Sequence, residues 1–105
     1  MTITVFENVR LVDPASGRDG IGRLTVEDGR IAAIDSPETP EGARVINGQG
    51  AVLCPGLVDM RVALGEPGFE YRESVKSGAR AAVAGGITTM AVLPNTSPAI
   101  DNPAL

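Results

Sequence analysis

The sequence contains no histidine in 105 residues. That absence removes the commonest zinc ligand and the commonest general base near neutral pH. Cys54 is the sole cysteine, so an internal disulfide framework and a multi-cysteine metal cluster are both excluded. Aromatic residues are scarce at 3%, with no tryptophan, while hydrophobic residues reach 43%. A core must therefore be built from Val, Ile, Leu and Ala. Nine basic side chains stand against thirteen acidic ones, a net charge of −4. The basic face that non-specific nucleic-acid binding needs is missing. No apolar run approaches the roughly 18 residues of a membrane span. The first residues, MTITVFENVR, lack the charged start and apolar core of a signal peptide. A soluble, cytoplasmic protein with neither a nucleic-acid nor a membrane partner is expected, and the length allows a modest core at most.

What is present divides near residue 55, into segments 1–54 and 55–105. In the first, Thr2–Phe6 and Val9–Asp13 are apolar, β-branched runs. The second run stops at Asp13-Pro14-Ala15-Ser16-Gly17, where proline presets φ and Asp and Ser bond local backbone. Gly22–Glu27 and Arg30–Asp35 flank Asp28-Gly29, a strong hairpin signal. Leu24 and Val26 fall on one face, and Arg23, Thr25 and Glu27 on the other, the alternation of a half-buried antiparallel sheet. Ser36–Gly42 is a polar loop with two prolines, and Val45-Ile46 and Ala51–Leu53 are two more short strands around Asn47-Gly48. A small β-sandwich or open β-layer is predicted.

After Pro55-Gly56 the pattern changes. Leu57–Leu64 reads as a parallel strand covered on both faces. Glu70–Ala84 reads as a helix, with Val75, Ala79, Ala82 and Val83 on one stripe and Glu70 and Glu73 in its first turn. Gly85-Gly86 ends it, and Ile87–Leu93 is a second buried strand closed by Pro94-Asn95. This is one βαβ unit. Two parallel strands and a helix do not make a stable sheet alone. The remainder of the barrel is expected from a larger protein of which this is a fragment, or else from another chain.

Two segments, PGLVDMRVALGEPGFEYRES and AAVAGGITTMAVLPNTSPAIDN, resemble the start of the catalytic barrel of dihydroorotases, in the amidohydrolase superfamily. Hydantoinases and allantoinases share the architecture but fit these segments less well. The resemblance covers about half the chain residue by residue. It implies an α/β fold: a small amino-terminal β-sandwich layer, then the first βαβ unit of a TIM-like (β/α)8 barrel, incomplete in this chain. It also implies a site at the carboxyl ends of the strands. In the family the first strand ends in His-x-His-x-Arg, two zinc ligands and a contact to the substrate carboxylate. Here Arg61 and Ala63 stand at the histidine positions and Gly65 at the arginine position. Asn95 matches the family's substrate-contacting asparagine; Glu66, Pro67, Gly68 and Asp59 match as well.

The substitutions remove metal chemistry from these positions. Alanine offers no ligand atom, and a guanidinium has no lone pair to give and repels a dication. No cofactor is expected in this chain, although active relatives use zinc, and no catalytic residue is assigned. Two readings of Arg61 stay open: its guanidinium fills the vacated metal position and pairs with surviving carboxylates, or it reaches solvent in a site under no functional demand. Asn95 is either a residual substrate-binding residue or a turn residue after Pro94. Asp59 shares the inward parity of Arg61 and Ala63. It is either an interior partner of Arg61 or a structural hydrogen-bond acceptor. Cys54 reads as a small buried apolar residue rather than a reactive thiol. Phe69 and Tyr71 read as packing for the loop before the helix, or as a partner surface.

Three functions remain. The resemblance, with three functional positions changed on one strand, implies an inactive dihydroorotase paralogue of pyrimidine biosynthesis. Such a protein acts as a structural subunit with aspartate carbamoyltransferase and is expected to be oligomeric. The alternative is an active zinc-dependent dihydroorotase or related cyclic amidohydrolase with rearranged ligands. A self-sufficient small binding module is the third.

Overall fold

A computed structural model describes residues 1–105, which divide into two compact units, Met1–Pro55 and Gly56–Leu105. The first holds β1 (Ile3–Asp13), β2 (Arg18–Glu27), β3 (Arg30–Ile34), β4 (Arg44–Asn47) and β5 (Val52–Leu53). All five belong to one sheet, ordered β3-β2-β1-β4, with β5 also on β1. The β-layer is therefore open.

The two amino-terminal runs are one strand. Between Phe6 and Val9 its register against β2 shifts, and Asn8 takes φ 53°, a conformation that Asn tolerates better than most residues. The irregularity shifts the alternation by one residue, so Val9 and Leu11 lie on the same face as Phe6. The Asp13–Gly17 turn and the Asp28-Gly29 hairpin form as their residues dictate. Asp28 and Gly29 both have positive φ (49° and 78°), as a type I′ turn requires.

The directions of β4 and β5, which the residue pattern left open, are parallel to β1, pairing Val5 with Val45 and Leu11 with Leu53. The link between them turns back beside the β1 irregularity, where Gly48 N donates to Glu7 O and Gly50 N to Asn8 O, both at 2.7 Å. Gly48 has no room for a side chain, because a Cβ would fall onto Val9 Cγ1. Burial is not confined to the Leu24 face. Val5 is 0% exposed and its cross-strand partner Thr25 only 5%. Arg23, on that same face, donates to the carbonyls of Ser36 (2.9 Å) and Glu38 (3.0 Å) and to Thr39 Oγ1. The proline-containing loop is thereby tied to that face. The other face carries an apolar hollow of about 210 Å³ lined by Leu11, Leu24, Ile31, Ile34 and Leu53. Cys54, expected to be buried, is exposed at its rim, because β5 ends at Leu53 and nothing covers the residue after it.

The second unit holds β6 (Leu57–Val62), α1 (Val75–Ala84) and β7 (Ile87–Val92), with β6 and β7 parallel. β6 is not covered on both faces: Val58 and Met60 are 62% and 81% exposed, because β7 is its sole strand partner and the contacts of α1 fall on β7. Each strand keeps an open edge.

The helix begins five residues later than its composition predicts. Ser74 is the N-cap, accepting from Ser77 N, while Ser77 Oγ accepts from Ser74 N. This reciprocal box fixes the start, leaves no acidic residue in the first turn, and places Glu70 and Glu73 in the preceding loop. At the other end Gly85 caps the helix and Gly86 takes φ 84°. The apolar stripe is half-used: Val75 and Val83 are exposed, whereas Gly78 is buried against Leu64. No helix is long and apolar enough to cross a membrane.

Candidate functional site

β6 and β7 are parallel, so their carboxyl ends emerge at one edge, and Leu93 N donates to Val62 O (2.8 Å) to extend the pairing past both strands. Beyond this point Ala63-Leu64-Gly65 and Pro94-Asn95 leave the sheet together. The segment between β6 and α1 then folds back over the strand end. Phe69 N donates to Gly65 O at 2.6 Å, and Arg72 N and Glu73 N donate to Phe69 O at 2.9 and 3.4 Å. These elements enclose a cavity of about 230 Å³ lined by Ala63, Leu64, Gly65, Phe69, Arg72, Glu73 and Asn95.

Three of the four candidate positions, Ala63, Gly65 and Asn95, meet in this cavity, and Arg61 does not. Arg61 is exposed, and its guanidinium makes no hydrogen bond or ion pair. Half-buried Asp59 accepts from the Arg61 backbone N–H at 3.0 Å rather than from the side chain.

Glu66 has a structural task. Its Oε2 accepts from Val75 N at 2.8 Å, satisfying a first-turn amide of α1 that has no partner within the helix. Gly68, at φ 104°, lies against the Ser97 backbone, and Ser97 N donates to Pro67 O at 3.0 Å. The loops after β6 and β7 are thereby joined. Glu70 accepts from Gly68 N at 3.1 Å, which holds its carboxyl below the usual range.

Residue patterns did not single out Arg72 and Glu73 as cavity walls. The Arg72 guanidinium sits 5.3 Å from the ring centres of both Phe69 and Tyr71, a cation–π arrangement. Glu73 Oε1 accepts from Ser77 Oγ. Both side chains reach the cavity because the loop returns to Gly65; two aromatics, four and six residues after that buried glycine, were the available signal.

Chemically the cavity offers one guanidinium, one carboxylate already engaged by a hydroxyl, and one carboxamide. Such groups can hydrogen-bond a small polar molecule. Zinc does not fit positions 61 and 63: one residue has no donor atom and the other carries a fixed positive charge. No three His, Cys, Asp or Glu side chains of this chain come together as a metal-binding group.

A family described as dihydro-orotase-like matches residues 50–104. A dihydroorotase of Pelobacter propionicus is 47% identical over 102 residues, covering 96% of this chain and 24% of the relative. A dihydroorotase of Anaeromyxobacter sp. is 44% identical over 100 residues, covering 94% and 23%. Among solved structures, the L-hydantoinase of Arthrobacter aurescens superposes with a TM-score of 0.81 at 31% identity, over 94% of this chain and 22% of that one. The chain thus spans about a quarter of the length of the curated relatives it matches.

Proposed function

Because this chain belongs to the dihydro-orotase-like family, we propose that it forms the β-layer and first barrel strands of a non-catalytic dihydroorotase-like protein. That protein serves in the cytoplasm as a structural subunit with aspartate carbamoyltransferase in pyrimidine biosynthesis. The observation that carries this reading is the joint replacement at the end of β6. Arg61, Ala63 and Gly65 stand where the family resemblance calls for two zinc ligands and a carboxylate-binding arginine, in segments that otherwise match. One replacement could tune a reaction, but three together remove both the first-strand metal ligands and the guanidinium beside them. Without a metal, water keeps its ordinary pKa, and the hydroxide that a metal would supply at neutral pH is lost.

The test uses the intact protein: metal content by mass spectrometry, turnover of dihydroorotate, and co-elution with aspartate carbamoyltransferase. Substoichiometric metal, no turnover and a stable complex are expected. Stoichiometric zinc with turnover would overturn the reading in favour of a zinc hydrolase with rearranged ligands. That second reading draws its support from the 47% and 44% identity to curated dihydroorotases. Failure to co-elute would leave the protein without the proposed structural role.

A further inference from the structure

Gly65 is buried at the carboxyl end of β6, and the backbone of its own loop fills the space beside it. A Cβ at this position would overlap Phe69 O and come within 2.6 Å of Glu73 O and 3.1 Å of Glu73 N. The requirement is for space and not for torsion, since Gly65 is not among the positive-φ glycines. The obstructing atoms are backbone, so they cannot swing aside as a flexible side chain can. The same segment is pinned there by the Phe69 N–Gly65 O hydrogen bond (2.6 Å) and, at its far end, by the Glu66 carboxylate on Val75 N (2.8 Å).

We infer that Gly65 is a positioning residue: the missing side chain lets segment 65–73 fold down onto the strand end and bring Phe69, Arg72 and Glu73 into the cavity wall. In that form the position cannot carry an arginine again unless the loop lifts. The change at position 65 is therefore built into the surrounding structure, and substituting that residue alone does not return the site to the family's pattern. Ala63, two residues earlier, is exposed and under no such constraint. The steric part stands whatever the protein's activity; the statement about the family pattern rests on the functional reading above.

Amide hydrogen exchange in the intact protein tests the inference, comparing wild type with Gly65→Ala, Ala63→His and Gly20→Ala. The last is a control, with no atom within 4 Å of a Cβ at Gly20. The Phe69 amide should be protected in wild type, Ala63→His and Gly20→Ala, and should exchange about tenfold faster or more in Gly65→Ala. Amides of the β-layer around Val5 and Thr25 should be unchanged. An unprotected Phe69 amide in wild type, or equal protection in Gly65→Ala, would overturn the inference. So would equal loss in Ala63→His. If Gly65→Ala does not fold, the wild-type and Ala63→His measurements decide. Metal content decides the non-catalytic reading separately.

Discussion

Two residues of the β-layer show how a single side chain, or its absence, holds distant chain together. Gly48 is needed because the β4–β5 link passes directly against Val9, which is 3% exposed. Gly48→Ala overpacks that contact and should cost about 1–3 kcal/mol, read as a lower urea midpoint with an unchanged m-value. Arg23 keeps 18% of its side-chain surface exposed while serving two carbonyls and a hydroxyl of the loop. Charge-assisted bonds of this kind contribute more than neutral ones. Arg23→Met should destabilise by about 2 kcal/mol and speed exchange at Val5, which lies on the same face. The hairpin glycine and the helix-stopping glycines were legible in the sequence because their requirement is torsional and local. The requirement at Gly48 was not, because Val9 is 39 positions away in the chain, and neither was the one at Gly65, because the obstructing backbone arrives only when the loop folds.

At the scale of elements, the β2–β3 hairpin could be read from turn chemistry, but the continuity of β1 past Asn8 and the direction of β4 and β5 could not. Their parallel pairing depends on which side of β1 remains free, a fact no short window contains. The start of α1 was misplaced for a related reason. Glu70 and Glu73 look like first-turn acids, yet Glu70 is engaged by Gly68 and Glu73 by Ser77, and a serine pair forms the cap. Ser74→Ala should cost the helix about 1 kcal/mol, visible as reduced helical circular dichroism or a lower thermal midpoint. The candidate site divides the same way. Ala63, Gly65 and Asn95 converge because they end two parallel strands, whereas Arg72 and Glu73 enter only through the returning loop.

For the whole molecule, the net charge of −4 conceals a few organised carboxylates. Asp19 is held below the usual carboxylate range by its hydrogen bond to Arg10, and Asp35 by Arg18 together with the Arg23 backbone N–H. Glu70 is lowered by Gly68 N. A carboxylate whose folded pKa lies below its unfolded value adds stability above the ordinary range, about pH 4, and that stability is lost as pH falls through the folded value. All three groups are solvent-exposed, so screening keeps each contribution small. The denaturation midpoint should be flat from neutral pH to about 5 and decline below about 4; Asp35→Asn should flatten the decline.

The mixed pairing of β1 also orders events in time. β1, β2 and β3 close by successive hairpins within the first 34 residues, contacts that need little loop closure. The opposite side of β1 waits for residues 44–47 and 52–53. On a ribosome the meander can therefore be complete while that edge is still bare, an interval in which another chain's strand could take the place of β4.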